Sequence, residues 1–160
     1  MFGTSLDDDF YQHMIQAYPN VSAVRGKTYD LLMRSDAALV TSGTATLETA
    51  LFDVPEVICY KGNPISYQIG KMLIKVKYIC LVNLIMDRPV VTELIQDDCN
   101  PARLGDELRA VLYDENRRSK MKADYAELRL LLGQGGLASA QAAGSIVHWL
   151  SSLNPSSGKV

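Results

Sequence analysis

Short apolar runs rich in β-branched residues alternate with segments of helical periodicity along the first half of the chain. Such continuous apolar runs are typical of strands that are covered on both faces of a parallel sheet. They predict strands at residues 21–24, 37–41, 56–60 and 78–82. Helices are predicted at residues 6–18, 28–34, 44–52 and 64–75. The alternation favours an α/β fold, with a Rossmann-like parallel sheet that is flanked by helices and joined by right-handed crossovers.

Beyond Pro89 the sequence shows helical patterns only. Helices are predicted at residues 90–95, 101–112, 116–132 and 138–153. Asn100 followed by Pro101 marks one helix start, since asparagine caps a first turn well and proline suits its first position. This change of pattern divides the chain into three parts. They are a sheet domain over residues 1–114, C-terminal helices over residues 115–153 that pack on it or on a partner, and a flexible tail over residues 154–160.

The overall composition excludes several classes of function. With 160 residues and a formal net charge of -2, the chain is large enough for one domain and too acidic for a general nucleic-acid binder. No apolar run is long enough to span a bilayer, and acidic residues 7–9 stand where a secretion signal would be apolar. The cysteines are widely spaced, which predicts free thiols. We expect neither a metal nor a cofactor.

The most informative motif is the segment 42–48, Ser-Gly-Thr-Ala-Thr-Leu-Glu, which follows a predicted strand and leads directly into a helix. In parallel sheets, ligands bind at the carboxyl ends of the strands. A helix N-terminus offers unpaired amides and a partial positive charge, which suit a diphosphate. Glycine in this turn lets the backbone approach the phosphates closely. We therefore expect a diphosphate to bind Ser42, Gly43, Thr44, Ala45 and Thr46.

Glu48 lies about one turn into the same predicted helix. Its carboxylate is placed to accept hydrogen bonds from the vicinal hydroxyls of a ribose, as acidic residues do in dinucleotide sites. An ordinary strand-to-helix turn, with a glutamate favoured by the helix dipole, would explain the same residues. The motif alone leaves both interpretations open.

Several blocks of the sequence resemble the lipid-A-disaccharide synthase family. Residues 35–51, SDAALVTSGTATLETAL, resemble the family's nucleotide-binding segment. Residues 55–61 resemble its strand P-x-V-x-x-Y-[KR], and residues 78–85 resemble its block Y-[IV]-x-L-[PV]-N-[IL]-[IL]. Residues 89–96 are close to the family's ending V-x-E-[LF]-[IL]-Q. These ordered blocks extend over nearly the whole chain and are together far more specific than any one of them.

The resemblance implies the C-terminal, donor-binding domain of a GT-B glycosyltransferase, in which two Rossmann-like domains face each other across a cleft. Members of the family are inverting hexosyltransferases of lipid A biosynthesis. It transfers 2,3-diacylglucosamine from UDP to 2,3-diacylglucosamine 1-phosphate at the inner face of the Gram-negative inner membrane. The family's Gly-Ser-Arg signature, its acceptor domain and its catalytic carboxylates have no counterpart in these residues. We therefore expect this chain alone to be inactive.

The resemblance also implies roles for single residues. Residues 42–46 would hold the diphosphate of the UDP-sugar, and Glu48 its ribose. Asn83 would support catalysis and face the same cleft, although a turn-forming asparagine is an equally good reading. Glu93 and Gln96, predicted to lie one helical turn apart, would line the donor site. A solvated helix face is the alternative for this pair.

A predicted amphipathic helix mixes apolar side chains with lysines, and we expect Lys71, Met72 and Lys75 to face an anionic membrane surface. An amphipathic helix that packs on the sheet is the alternative. The implied partners are the UDP-diacylglucosamine donor, the acylated glucosamine phosphate acceptor, the inner membrane and no nucleic acid. A homodimer could form through exchanged C-terminal helices or an open sheet edge.

Other functions stay open at this point. The donor domain of another GT-B enzyme, such as a UDP-GlcNAc 2-epimerase, would share the Ser-Gly turn and the glutamate, although the block at residues 78–85 argues against it. A non-catalytic nucleotide-binding or assembly module is the second alternative. Uridine-selective binding would favour a donor domain over an assembly role.

Overall fold

A parallel sheet forms the centre of the molecule. The computed structural model describes residues 7–41, 43–63, 77–134 and 138–153. Within them, strands β1 (Ala38–Thr41), β2 (Glu56–Tyr60) and β3 (Thr92–Ile95) are parallel and lie in the order β1-β2-β3. Because all three strands run the same way, their carboxyl ends share one edge of the sheet. The predicted α/β class with a parallel sheet is confirmed.

The described residues also form seven helices. They are α1 (Asp8–Ile15), α2 (Thr28–Leu32), α3 (Thr44–Leu51), α4 (Leu81–Met86), α5 (Pro101–Tyr113), α6 (Glu115–Gln134) and α7 (Ala138–Leu153). A short 3-10 turn (Gln96–Asp98) follows β3. The side chain of Asn100 accepts a hydrogen bond from the amide of Arg103, which confirms the predicted cap of α5.

One hydrophobic core joins the sheet to the helices that cover it. Val57 and Ile58 on the central strand are fully buried. Met121, Tyr125 and Leu128 recur at helical spacing along α6 and belong to the same core. Burying each such side chain contributes about 1.5–3 kcal/mol, so α6 is an integral part of the fold. Thus the first of the predicted C-terminal helices packs on the sheet.

The last helix, α7, contributes no described side chain to this core. All its described side chains are exposed, and Ile146 and Trp149 are 57% and 60% accessible. On α1, Phe10 and Met14 are also exposed, at 50% and 60%. Groups of large apolar side chains on a protein surface usually mark a site where another surface binds.

Two of the strand predictions were wrong. Residues 21–24 form no regular element and lie outside the sheet. The apolar run at residues 78–82 leads into α4, where Cys80 is the N-cap. Short apolar runs do not distinguish a strand from a buried helix, so periodicity could not decide here.

The predicted helix at residues 90–95 was also wrong, because Thr92–Ile95 form β3. This segment pairs with β2, where Val57 lies opposite Thr92 and Ile58 opposite Glu93. Pairing with β2, whose first three residues are buried, determined its conformation. The predicted helix at residues 64–75 and the predicted tail at residues 154–160 lie outside the described residues.

Candidate functional site

The turn between β1 and α3 has the geometry that the motif predicted. Gly43 precedes the helix with φ 146°, a conformation that favours glycine. Thr44 is exposed and Ala45 is half-buried. No described side chain caps this end of α3, and no acidic residue lies in its first turn. The amides of the first turn therefore remain suited to an anion at the carboxyl edge of the sheet. Ser42 lies outside the described residues.

Thr46 is a correction to the predicted diphosphate site. Its side chain is fully buried. Its hydroxyl donates to the carbonyl of Gly43 at 2.8 Å, and its amide donates to the same carbonyl at 3.2 Å. A donor that is already bonded inside the turn is not free to bind phosphate. Thr46 thus stabilises the turn that holds Gly43, Thr44 and Ala45 in place.

Glu48 faces a cavity of about 340 Å³ beside α3. From Thr44 to Glu48 the helix advances roughly 6 Å, which one nucleotide can span with its diphosphate and ribose. The other lining residues belong to the start of α2 and the loop before it: Gly26, Lys27, Thr28, Tyr29 and Asp30. The Tyr29 ring stacks on Phe52, with centroids 5.3 Å apart, and fixes α2 against α3.

Sequence reasoning missed residues 26–30 as part of this site. The only local signal was Gly26, whose φ of 69° marks a turn before a short helix. The approach of this loop to Glu48 depends on tertiary packing, which no local pattern encodes.

Asn83 holds α4 to the segment that enters β3. Its Oδ1 accepts hydrogen bonds from the amides of Val90 at 2.8 Å and Val91 at 3.0 Å. Its Nδ2 donates to the carbonyl of Val91 at 2.9 Å and to Oε1 of Glu93 at 3.0 Å. The residue is only 1% exposed. Its side-chain hydrogen-bonding capacity is therefore used inside the protein.

Glu93 completes this cluster. Its carboxylate accepts hydrogen bonds from the amides of Ile79 at 3.0 Å and Cys80 at 3.1 Å. A negative charge at this position favours the N-terminus of α4. Glu93 lies within β3, whereas Gln96 begins the turn after it, so the predicted shared helical face was wrong.

The expectation that Asn83 faces the same cleft as Glu48 is also corrected. Asn83 and Glu93 border a separate cavity of about 580 Å³, together with Arg117 and Met121 of α6. Asn83 binds the residues that precede β3, which places it toward the amino end of that strand. The diphosphate turn lies at the opposite, carboxyl edge.

Gln96 does lie at the carboxyl edge. It directly follows β3, and its Oε1 accepts a hydrogen bond from the amide of Gly62 at 3.1 Å. Gly62 in turn belongs to the segment that leaves β2. Glu93 and Gln96 were both predicted to line the donor site. Gln96 is the one that shares the carboxyl edge of the sheet with Gly43.

Glu56 has the most strongly shifted pKa among the described carboxylic acids but lies away from this edge. It is fully buried at the amino end of β2, next to Tyr125 of α6. Burial raises the pKa of its carboxyl to about 9, and the nearby Tyr125 hydroxyl opposes this only in part. Neither carboxyl oxygen meets hydrogen-bond geometry with any partner. Its position in the core identifies it as a structural group.

Among the described residues, no group of three or more His, Cys, Asp and Glu side chains could hold a metal ion. None of the helices in the described ranges is long and apolar enough to cross a bilayer. The predicted membrane-facing residues Lys71, Met72 and Lys75 lie outside those ranges.

Comparison with known proteins identifies the family. The family model described as lipid-A-disaccharide synthetase matches residues 5–147. A lipid-A-disaccharide synthase of Syntrophus aciditrophicus is 46% identical over 120 residues, which are 75% of this chain and 31% of that protein. Those of Geobacter metallireducens and Geobacter sulfurreducens are 38% and 40% identical, over 90% and 82% of this chain and 37% and 34% of theirs. The chain spans about a third of the length of these curated relatives. It belongs to the lipid-A-disaccharide synthase family.

Proposed function

We propose that this chain is the donor-binding domain of a lipid-A-disaccharide synthase. The reaction is the transfer of 2,3-diacylglucosamine from UDP to 2,3-diacylglucosamine 1-phosphate, with inversion and release of UDP. The observation that carries the proposal is the open first turn of α3, with Glu48 facing a cavity one turn further along. This arrangement offers one binding element for a diphosphate and another for a ribose.

Within this chain, the diphosphate binds at the amides of Thr44 and Ala45, and Gly43 allows its close approach. Ser42 adds a hydroxyl. Negative charge develops on the UDP leaving group as the glycosidic bond breaks. The oriented amides of α3 stabilise that charge without having to reorganise. Glu48 accepts hydrogen bonds from the ribose hydroxyls, and the cavity formed with residues 26–30 holds the nucleoside.

The remaining chemistry belongs to the acceptor domain of the full-length parent. A base there deprotonates the attacking hydroxyl, so this chain alone binds the donor without turnover. Asn83 supports the reaction indirectly, by fixing α4 against β3. We also propose that the protein lies on the inner face of the inner membrane through Lys71, Met72 and Lys75. A homodimer that covers the exposed face of α7 is a further part of the proposal.

The ribose contact can be tested by titrating UDP and 2′-deoxy-UDP into the chain and its Glu48→Gln variant by calorimetry. We expect the substitution to weaken UDP binding about tenfold, or about 1.4 kcal/mol, because a hydrogen bond to a charged acceptor is lost. The wild-type chain should prefer UDP over the deoxy ligand, and the variant should lose most of that preference.

Glu115→Gln provides the matched control, because Glu115 is exposed at the start of α6. It should bind UDP like the wild-type chain. Equal wild-type affinity for the two nucleotides would exclude Glu48 as the ribose ligand. A complete lack of UDP binding by the wild-type chain would refute the donor-domain proposal itself.

A further inference from the structure

The strand register brings the residues that follow the three strands to one edge of the sheet. Thr41 lies opposite Cys59 in the pairing of β1 with β2, and Tyr60 lies opposite Ile95 in the pairing of β2 with β3. Gly43 comes two residues after Thr41, and Lys61 comes two residues after Cys59. Lys61 and Gln96 directly follow the paired residues Tyr60 and Ile95. Neighbouring strands are about 4.8 Å apart, so Lys61 leaves the sheet at the edge that carries the turn at Gly43.

The backbone after Lys61 is tied to the turn after β3. Gln96 has a φ of 53°, an uncommon conformation for a residue other than glycine. In that conformation its Oε1 accepts the amide hydrogen of Gly62. A Cβ at Gly62 would lie only 3.0 Å from the hydroxyl oxygen of Tyr60, so the glycine leaves room for that side chain. The hydrogen bond thus joins the segments that follow β2 and β3.

Lys61 is suited to an anionic ligand. It is exposed and makes no ion pair with the acidic residues that the structure describes. Nor does the first turn of α3 carry an acidic residue that would compete for it. A lysine ammonium acts as a mobile point charge for phosphates, and it complements oriented backbone amides.

We propose that Lys61 binds the diphosphate of the donor nucleotide and that Gln96 is a positioning residue that acts through it. This inference rests on the proposed donor site and adds a cation to it. The ammonium neutralises the charge that develops on the leaving diphosphate. The bond from Gly62 to Gln96 keeps the backbone of Lys61 beside Gly43. Gln96 itself does not contact the nucleotide.

The test compares UDP with uridine as ligands of the chain at low ionic strength. We expect Lys61→Gln to weaken UDP binding about tenfold and leave uridine binding unchanged, because only UDP carries the phosphates. Lys61→Arg should retain most of the UDP affinity. Lys122→Gln is the matched control, since Lys122 is exposed on α6. It should not change either affinity.

A double-mutant cycle separates the role of Gln96 from a general loss of structure. Gln96→Ala should weaken UDP binding severalfold in the wild-type background and have little further effect in Lys61→Gln. Additive losses would overturn the positioning role. An unchanged UDP affinity in Lys61→Gln, or equal losses for UDP and uridine, would overturn the role of Lys61. If Glu48→Gln still weakens UDP binding in that case, the donor site stands without this lysine.

Discussion

Asn83→Asp is expected to lower the free energy of unfolding by about 4 kcal/mol. The substitution keeps the shape of the side chain and the oxygen that accepts the amides of Val90 and Val91. It removes the Nδ2 donor and places a second carboxylate at the position that now lies 3.0 Å from Oε1 of Glu93. An unpaired buried charge next to a like charge is among the costliest changes in a protein interior.

Urea unfolding at neutral pH measures this effect. Asn116→Asp, at an exposed position of α6, is the control and should change stability by less than about 0.5 kcal/mol. The loss in Asn83→Asp should shrink under acidic conditions, where a protonated aspartate can donate to Glu93 again. If the variant and the wild-type chain had the same midpoint of urea unfolding, the hydrogen bonds around Asn83 would not be what holds α4 to β3.

Glu56→Gln is expected to change stability in the opposite direction and to raise the free energy of unfolding by about 4 kcal/mol at pH 7.5. Burial raises the pKa of Glu56 from 4.5 to about 9, so the folded state keeps a proton that the unfolded state releases. The stability from this group is complete below pH 4.5 and is lost progressively up to about pH 9. Within that window the loss is about 1.4 kcal/mol per pH unit. A neutral glutamine has no such dependence.

The measurement is urea unfolding of both proteins at several pH values between 5 and 8.5. The variant and the wild-type chain should have similar free energies of unfolding at the acidic end. The variant should become steadily more stable than the wild-type chain toward the alkaline end. Glu115 is exposed, so the stability of Glu115→Gln should change with pH in the same way as that of the wild-type chain. A difference between Glu56→Gln and the wild-type chain that stays constant with pH would mean that Glu56 is ionised in the folded protein.

Local signals were sufficient to predict the turn between β1 and α3. The apolar run at β1, the glycine at position 43 and the helical pattern after it are all contained in one short segment. The strand β2 and the helices α5 and α6 were likewise predictable, because periodicity and capping residues define them locally. Gly43 and Glu48 were identified from the same segment.

The wrong predictions concern segments whose conformation depends on distant residues. The start of α4 is stabilised by Glu93, which is 14 residues from Ile79 and 13 from Cys80. The strand β3 exists because it pairs with β2. The pairing of β1 with β2 brings the strand ends that Gly43 and Lys61 follow to one edge of the sheet, and tertiary packing brings residues 26–30 to Glu48. None of these contacts has a pattern within a single segment.

The sequence grouped Asn83 with the predicted binding residues, whereas the structure places it in a separate cluster. The carboxyl edge carries the proposed binding groups, which are the turn at Gly43, Glu48 and Lys61. The cluster of Asn83 and Glu93 fixes the helix and strand on the far side of β2. Substitutions at Asn83 should therefore act through lost stability and misplaced elements. Their effect on UDP binding should follow the folded fraction.

Two-dimensional amide NMR of the chain during a UDP titration tests the location of the donor site most directly. We predict that the largest shift changes fall on residues 26–30 and on Gly43 to Glu48, with smaller changes around Gly62. Shift changes centred on Asn83, Arg117 and the residues around their cavity would contradict this location, and so would a titration that leaves the spectrum unchanged.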